Sequence, residues 1–125
     1  MKKIISTAAA PAAVGPYSQG VEASGATLYV SGQLPIDPAS GTMPDTVEQQ
    51  TEQALRNVEA ILSEAGYSLS DVVKSVVLLA DMNDFAAMNV VYARFYAKDM
   101  PARVCYEVGR LPMGARVEIE TIAVK

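Results

Sequence analysis

The chain has 125 residues, half of them hydrophobic, a net charge of −4 and no histidine. That length suits a single domain, residues 1–125, with a buried core. The acidic balance argues against a nucleic-acid partner, which calls for a clustered basic face. Without histidine, Ser-His-Asp and Cys-His nucleophile systems are excluded, and the single cysteine rules out an intrachain disulfide and a Cys-rich zinc site.

A metal would need oxygen ligands only, and Asp37 to Asp45 lacks the spacing of a calcium loop, so no metal site is expected. Chemistry must come from carboxylates, tyrosine, arginine, hydroxyls, backbone groups and water. Met1 to Ser6 has only two apolar residues after its lysines, too short for a signal-peptide core. No later run spans a bilayer, so the expectation is a cytoplasmic protein with no membrane partner.

Lys2 to Ser6 reads as an edge strand, followed by an irregular segment that Pro11 and Pro16 interrupt. Gly20 to Ser24 and Thr27 to Gln33 read as two strands around a turn at Ser24-Gly25-Ala26. Pro35, Pro38, Gly41 and Pro44 mark a loop. The first helix is expected from about Thr46 to Ala65, with Asp45 and Glu48 resembling a capping box and Gly66 as its stop. Val47, Thr51, Ala54, Leu55, Val58, Ile61, Leu62 and Ala65 make its buried stripe.

Val72 to Leu79 is apolar on both faces apart from Lys74 and Ser75, which places it centrally in a sheet. A second helix follows from about Asp84 to Ala97, capped by Asn83 or Asp84, with Phe85, Met88, Val91, Tyr92 and Phe95 as its core stripe. Pro101 keeps it from continuing. The order β-β-β-α-β-α-β-β implies an α+β architecture, a mixed sheet with two helices on one face. The other face would be a large exposed apolar patch unless a second subunit covers it, so an oligomer is expected.

The C-terminal stretch carries the chemistry. Ala102 to Val108 and the run from Val117 alternate with a period of two, and Gly109, Pro112 and Gly114 lie between them. Arg103, Cys105 and Glu107 share one face of the first strand; Glu118 and Glu120 share one face of the second. Paired as a hairpin, the strands would bring a planar cation and a carboxylate to one region. The simplest register sets Glu107 opposite Glu118, which is unfavourable. Either the register is shifted, or cations come from elsewhere, such as another subunit. On residue type alone Arg103 reads more readily as a solvated strand residue or surface ion-pair partner than as a ligand clamp, and Glu118 and Glu120 fit the polar side of an amphipathic strand equally well.

Pro101-Ala102-Arg103-Val104-Cys105-Tyr106-Glu107-Val108-Gly109-Arg110-Leu111-Pro112 followed by Val117-Glu118-Ile119-Glu120 resembles the signature of the RidA (YjgF) family of imine deaminases. The resemblance extends to Gly15-Pro16-Tyr17-Ser18-Gln19-Gly20, to Ser31-Gly32-Gln33 and to Asp84-Phe85. It implies a chorismate-mutase-like fold assembled as a homotrimer, with sites between subunits. It implies hydrolysis, without a cofactor, of 2-iminopropanoate and 2-iminobutanoate released by PLP-dependent dehydratases.

By the same resemblance Arg103 holds the substrate carboxylate, a task the guanidinium fork suits better than a lysine. Glu118 is the catalytic carboxylate that orients or deprotonates water. Tyr17, Ser31, Gly32 and Cys105 are implied to bind substrate, Cys105 through its carbonyl rather than as a nucleophile. Val104 stands where many relatives carry Ser or Thr, and the link to Pro101 is shorter than in several. Some relatives are described as endoribonucleases or translation inhibitors, a reading the acidity disfavours. A non-catalytic binding module using the same cleft is the other alternative.

Overall fold

Six strands and two helices form in the expected order. They are β1 (Lys2–Ile5), β2 (Gly20–Ala23), β3 (Thr27–Gln33), α1 (Val47–Glu64), β4 (Val72–Leu79), α2 (Phe85–Phe95), β5 (Ala102–Glu107) and β6 (Val117–Val124). The computed structural model describes all 125 residues.

The α1 cap lies one residue beyond the expected Asp45–Glu48 box. Thr46 has the extended backbone an N-cap requires, and its hydroxyl accepts from the Gln49 amide at 3.2 Å. At the other end Gly66 takes φ +80°, and the Tyr67 amide donates to the Leu62 carbonyl at 2.8 Å. The stripe from Val47 to Leu62 is buried as expected, except that Ile61 and Ala65 face solvent.

Neither Asn83 nor Asp84 caps α2 with its side chain. A short 3-10 turn, Met82–Asp84, leads into the helix. The Asp81 carboxylate accepts from the Asn83 amide at 2.8 Å, and Glu107 of β5 accepts from the Met82 amide at 2.9 Å. These bonds satisfy otherwise unpaired donors and tie the start of α2 to the end of β5. The helix stops at Phe95, two residues before the expected end.

The strand pairing departs from the sequence reading in two places. β2 and β3 are not a hairpin: β2 pairs with β1 in a two-stranded sheet, and β3 joins a four-stranded sheet of order β3-β6-β4-β5. The Ser24–Ala26 turn passes the chain between sheets, Ser24 donating to the Met1 carbonyl and Ala26 to the Lys125 carbonyl. β5 and β6 do not pair either. β4 lies between them, parallel to β5 and antiparallel to β6. The physical reason is the β4–α2–β5 crossover, which returns the chain parallel to β4 and fills the edge a hairpin would need. β4 is central, as expected.

Alternation then sorts every residue to a face. On the helix side, Val30, Thr121, Ser75 and Arg103 form one row, and Gln33, Ile119, Val77 and Cys105 the next. Val77, Leu79, Val117 and Ile119 are fully buried there, in one core with Leu55, Val58, Leu62, Met88 and Tyr92 from the helices. On the opposite side, Glu118, Leu78 and Tyr106 form one row and Glu120, Val76 and Val104 another. No helix covers this side: Tyr29 is 75 % exposed, Tyr106 48 % and Val104 41 %. This is the uncovered apolar face that the sequence led us to expect.

Candidate active site

Arg103 sits half-buried between the sheet and α2. Its guanidinium lies 4.8 Å from the ring centroid of Tyr92, 5.3 Å from Tyr17 and 5.6 Å from Phe85. Such ring faces stabilise a cation without neutralising it. Its Nη1 donates to Asn89 Oδ1 at 2.7 Å. The ion pairs of the structure are Arg56–Glu52 and Arg116–Asp84, so no carboxylate is paired with Arg103. A pocket of about 210 Å³ opens beside it, lined by Val14, Tyr17, Phe85, Arg103, Val104 and Cys105. A partly desolvated cation with no carboxylate paired to it, facing a pocket, can accept an anionic ligand.

The N-terminal loop closes this pocket. Ser18 bridges to Ala102 at the start of β5, its amide donating to the Pro101 carbonyl at 3.1 Å and its hydroxyl to the Met100 carbonyl. Gln19 braces the preceding segment, accepting from the Thr7 amide at 2.6 Å and donating to the Pro11 carbonyl at 2.7 Å. The Tyr17 hydroxyl accepts from the Val14 amide at 3.2 Å, leaving its own proton to donate. Gly15 approaches the site closely: a Cβ there would lie 3.2 Å from Arg103 Nη2, so the guanidinium would have to give by a few tenths of an ångström. Cys105 is half-buried, and burial pushes its thiol up, an effect the Arg103 charge only partly opposes. It is a poor nucleophile in this setting.

Glu118 belongs to a different cluster. The β3–β6 ladder is irregular between Val30 and Gln33, which brings Ser31 and Gly32 out of regular pairing. There Gly32 lies against the Glu118 carboxylate, and a Cβ on it would come 2.7 Å from Oε2 and 3.0 Å from Cδ. Glu118 shares a row with Leu78 and Tyr106 on the open face, whereas Arg103 lies on the helix face of the same sheet. The expectation that cation and carboxylate meet across paired strands is therefore wrong for one chain. The candidate residues fall into two groups, Arg103, Tyr17 and Cys105 on one side, Glu118, Ser31 and Gly32 on the other.

A family model described as endoribonuclease L-PSP matches residues 7–125. This chain belongs to the L-PSP (YjgF/RidA) family. It is 53 % identical, over 126 aligned positions covering 100 % of this chain and 91 % of the relative, to a goat protein named 2-iminobutanoate/2-iminopropanoate deaminase. A Salmonella typhimurium protein of the same name is 46 % identical, with 100 % and 99 % covered. Among solved structures, E. coli TdcF with bound serine matches at 44 % identity, 98 % of each chain and a TM-score of 0.78.

Three residues against the Arg103 guanidinium of this L-PSP chain escape the sequence reading as site residues. Phe85 and Tyr92 were assigned to the core stripe of α2, and Asn89 to nothing. The signal was present: Phe85, Asn89 and Tyr92 stand at i, i+4 and i+7, on one helix face. A lone amide in an otherwise apolar stripe needs a partner, and Arg103 is that partner.

Proposed function

We propose that this protein is a single-domain enzyme that hydrolyses reactive 2-imino acids, 2-iminopropanoate and 2-iminobutanoate, to 2-oxo acids and ammonia. The observation that carries the reading is the Arg103 guanidinium, held by three aromatic rings and a neutral amide with no carboxylate of its own. Full-length relatives named for this activity support it, as does a relative holding serine, which like the substrate carries a carboxylate and a nitrogen on the next carbon.

Arg103 receives the substrate carboxylate through two parallel hydrogen bonds, and Tyr17 and Phe85 flank it. The imine carbon is then presented to a water held by Glu118 and the Cys105 carbonyl. Glu118 takes a proton from the water as it adds and passes it to the imine nitrogen, giving a neutral carbinolamine; it then carries the carbinolamine hydroxyl proton to nitrogen as the carbonyl forms and ammonia leaves. Imines are already electrophilic, so positioning and one carboxylate suffice. Ser31 and Gly32 help orient the carboxylate end through their backbone.

Arg103 and Glu118 face opposite sides of one sheet, so they meet only if Glu118 comes from a neighbouring chain. A homotrimer packed through the open face meets that need and covers Tyr29, Val104 and Tyr106. RNA cleavage has less support, because the net charge is −4 and no histidine is available for acid–base work on phosphates.

The test generates the imine with a PLP-dependent dehydratase and follows 2-oxo acid formation with and without this protein. The proposal expects release faster than the spontaneous rate, and no acceleration with Arg103→Ala. A rate equal to spontaneous hydrolysis with the native protein refutes it.

A further inference from the structure

We propose that Asn89 is a positioning residue that fixes Arg103 while leaving its charge uncommitted, so that the substrate carboxylate is the only anion it meets. The inference rests on the imine-hydrolase reading above, in which Arg103 binds that carboxylate. A guanidinium can only donate, so the Asn89 atom 2.7 Å from Nη1 is the amide oxygen. Amide and carboxylate have nearly the same shape. A carboxylate here would hold the arginine more strongly through a charge-assisted bond. It would also cancel the charge the ligand needs. Were rigidity alone required, aspartate would serve better.

The rest of the surroundings obeys the same restriction. Tyr17, Phe85 and Tyr92 present ring faces, Cys105 a thiol that burial keeps protonated, and Gly15 bare backbone against Nη2. Every group against the guanidinium is neutral. Asn89 reaches it because α2 presents Phe85, Asn89 and Tyr92 on one face, and because Glu107 and Asp81 anchor the helix start. Glu107 shares the helix-side face of β5 with Arg103. Its carboxylate is turned to the Met82 amide, not to the guanidinium.

The experiment compares native protein with Asn89→Asp and Asn89→Leu, of similar size at position 89 but differing in charge and acceptor, and with Arg103→Ala. Three quantities are read: pyruvate affinity, kcat and KM for imine hydrolysis, and Tm. Asn89→Asp should weaken pyruvate binding by about 10²-fold while Tm stays level or rises, because the new carboxylate pairs with Arg103. Asn89→Leu should raise KM by about 10-fold with kcat within about 3-fold, since the carboxylate is held equally in ground and transition states. Native-like pyruvate affinity in Asn89→Asp overturns the proposal. So does affinity that simply follows Tm in both variants, the mark of a structural role. If Asn89→Asp does not fold, Asn89→Leu decides alone, and a fall in kcat without a rise in KM overturns it. Pyruvate binding retained in Arg103→Ala refutes the function itself rather than the role of Asn89.

Discussion

Replacing Gly32 by alanine separates the two halves of the site with one methyl group. Its φ lies outside the left-handed region, so the backbone accepts alanine without strain and the whole effect is contact. The new Cβ would lie 2.7 Å from Glu118 Oε2, against an ordinary contact of 3.4 Å, so the carboxylate must retreat by about 0.7 Å. Glu118 is the free end of a flexible side chain, and folding stability should change by less than ~1 kcal/mol. Catalysis is less forgiving, because a displacement of about 1 Å can cost ~10²-fold in rate. Gly32→Ala should therefore lose roughly 10- to 100-fold in kcat. Pyruvate binding, assigned in the proposed function to Arg103 on the other face, should change by less than about 3-fold. Steady-state imine hydrolysis and calorimetric titration with pyruvate measure both on one preparation. Native kcat in a folded Gly32→Ala protein would show that this contact does not set the position of the catalytic group.

Other consequences follow from the same geometry. Arg103→Lys should bind pyruvate at least about 10-fold more weakly than native, because a point charge cannot replace two parallel hydrogen bonds; equal affinity in a titration contradicts the clamp. Burial pushes the Tyr92 hydroxyl from 10.0 up to about 12 and raises Tyr96 further. Folded tyrosines that ionise later than unfolded ones stabilise fully below pH 10 and lose that stabilisation as pH rises toward 12. Urea melts should show Tyr92 contributing a loss of about 1.4 kcal/mol per pH unit in that window, and Tyr92→Phe should remove it. Tyr106→Glu puts a charge on the open face beside the row of Leu78 and Glu118, and sedimentation should find smaller species with native helical content; an undisturbed assembly would mean that face is not the interface.

The local elements were legible because they depend on periodicity alone. The α1 stripe, the apolar strand from Val72 and the alternation after Pro101 each carry their pattern within one short stretch. Pairing was not legible in the same way. Adjacent strands read as hairpins at Ser24–Ala26 and Gly109–Arg116, but tertiary pairing separated both. A strand–helix–strand order favours a parallel crossover, and applied to β4, α2 and β5 that rule would have placed β4 beside β5. The opposed orientation of Arg103 and Glu118 depends on that ladder, since alternation gives a residue's face only once its neighbours are known.

The candidate residues were legible chiefly through motif resemblance, which singled out Arg103, Glu118, Tyr17, Ser31, Gly32 and Cys105. Their surroundings were not. Asn89 was hidden inside an apolar stripe, and the closeness of Gly15 to Arg103 Nη2 exists only in the folded chain. Four buried hydroxyls, Ser75, Thr121, Tyr92 and Tyr96, lack well-formed hydrogen bonds, although Tyr92 faces Ser75 and Tyr96 faces Thr121. They lie in the Arg103 row of the sheet, on α2 or at its C-terminal cap, and no pattern of residue types announced them.

Subunit mixing tests the central claim, that Arg103 of one chain works with Glu118 of another. Arg103→Ala and Glu118→Gln proteins, each expected to be inactive alone, are dissociated, combined in equal amounts and allowed to reassemble. In a cyclic trimer, random mixing leaves roughly three quarters of the assemblies mixed, each with one intact site of three. Imine hydrolysis should then recover to roughly a quarter of the native rate. Activity no greater than the sum of the two parents would contradict the account, because a site built within one chain gains nothing from exchange.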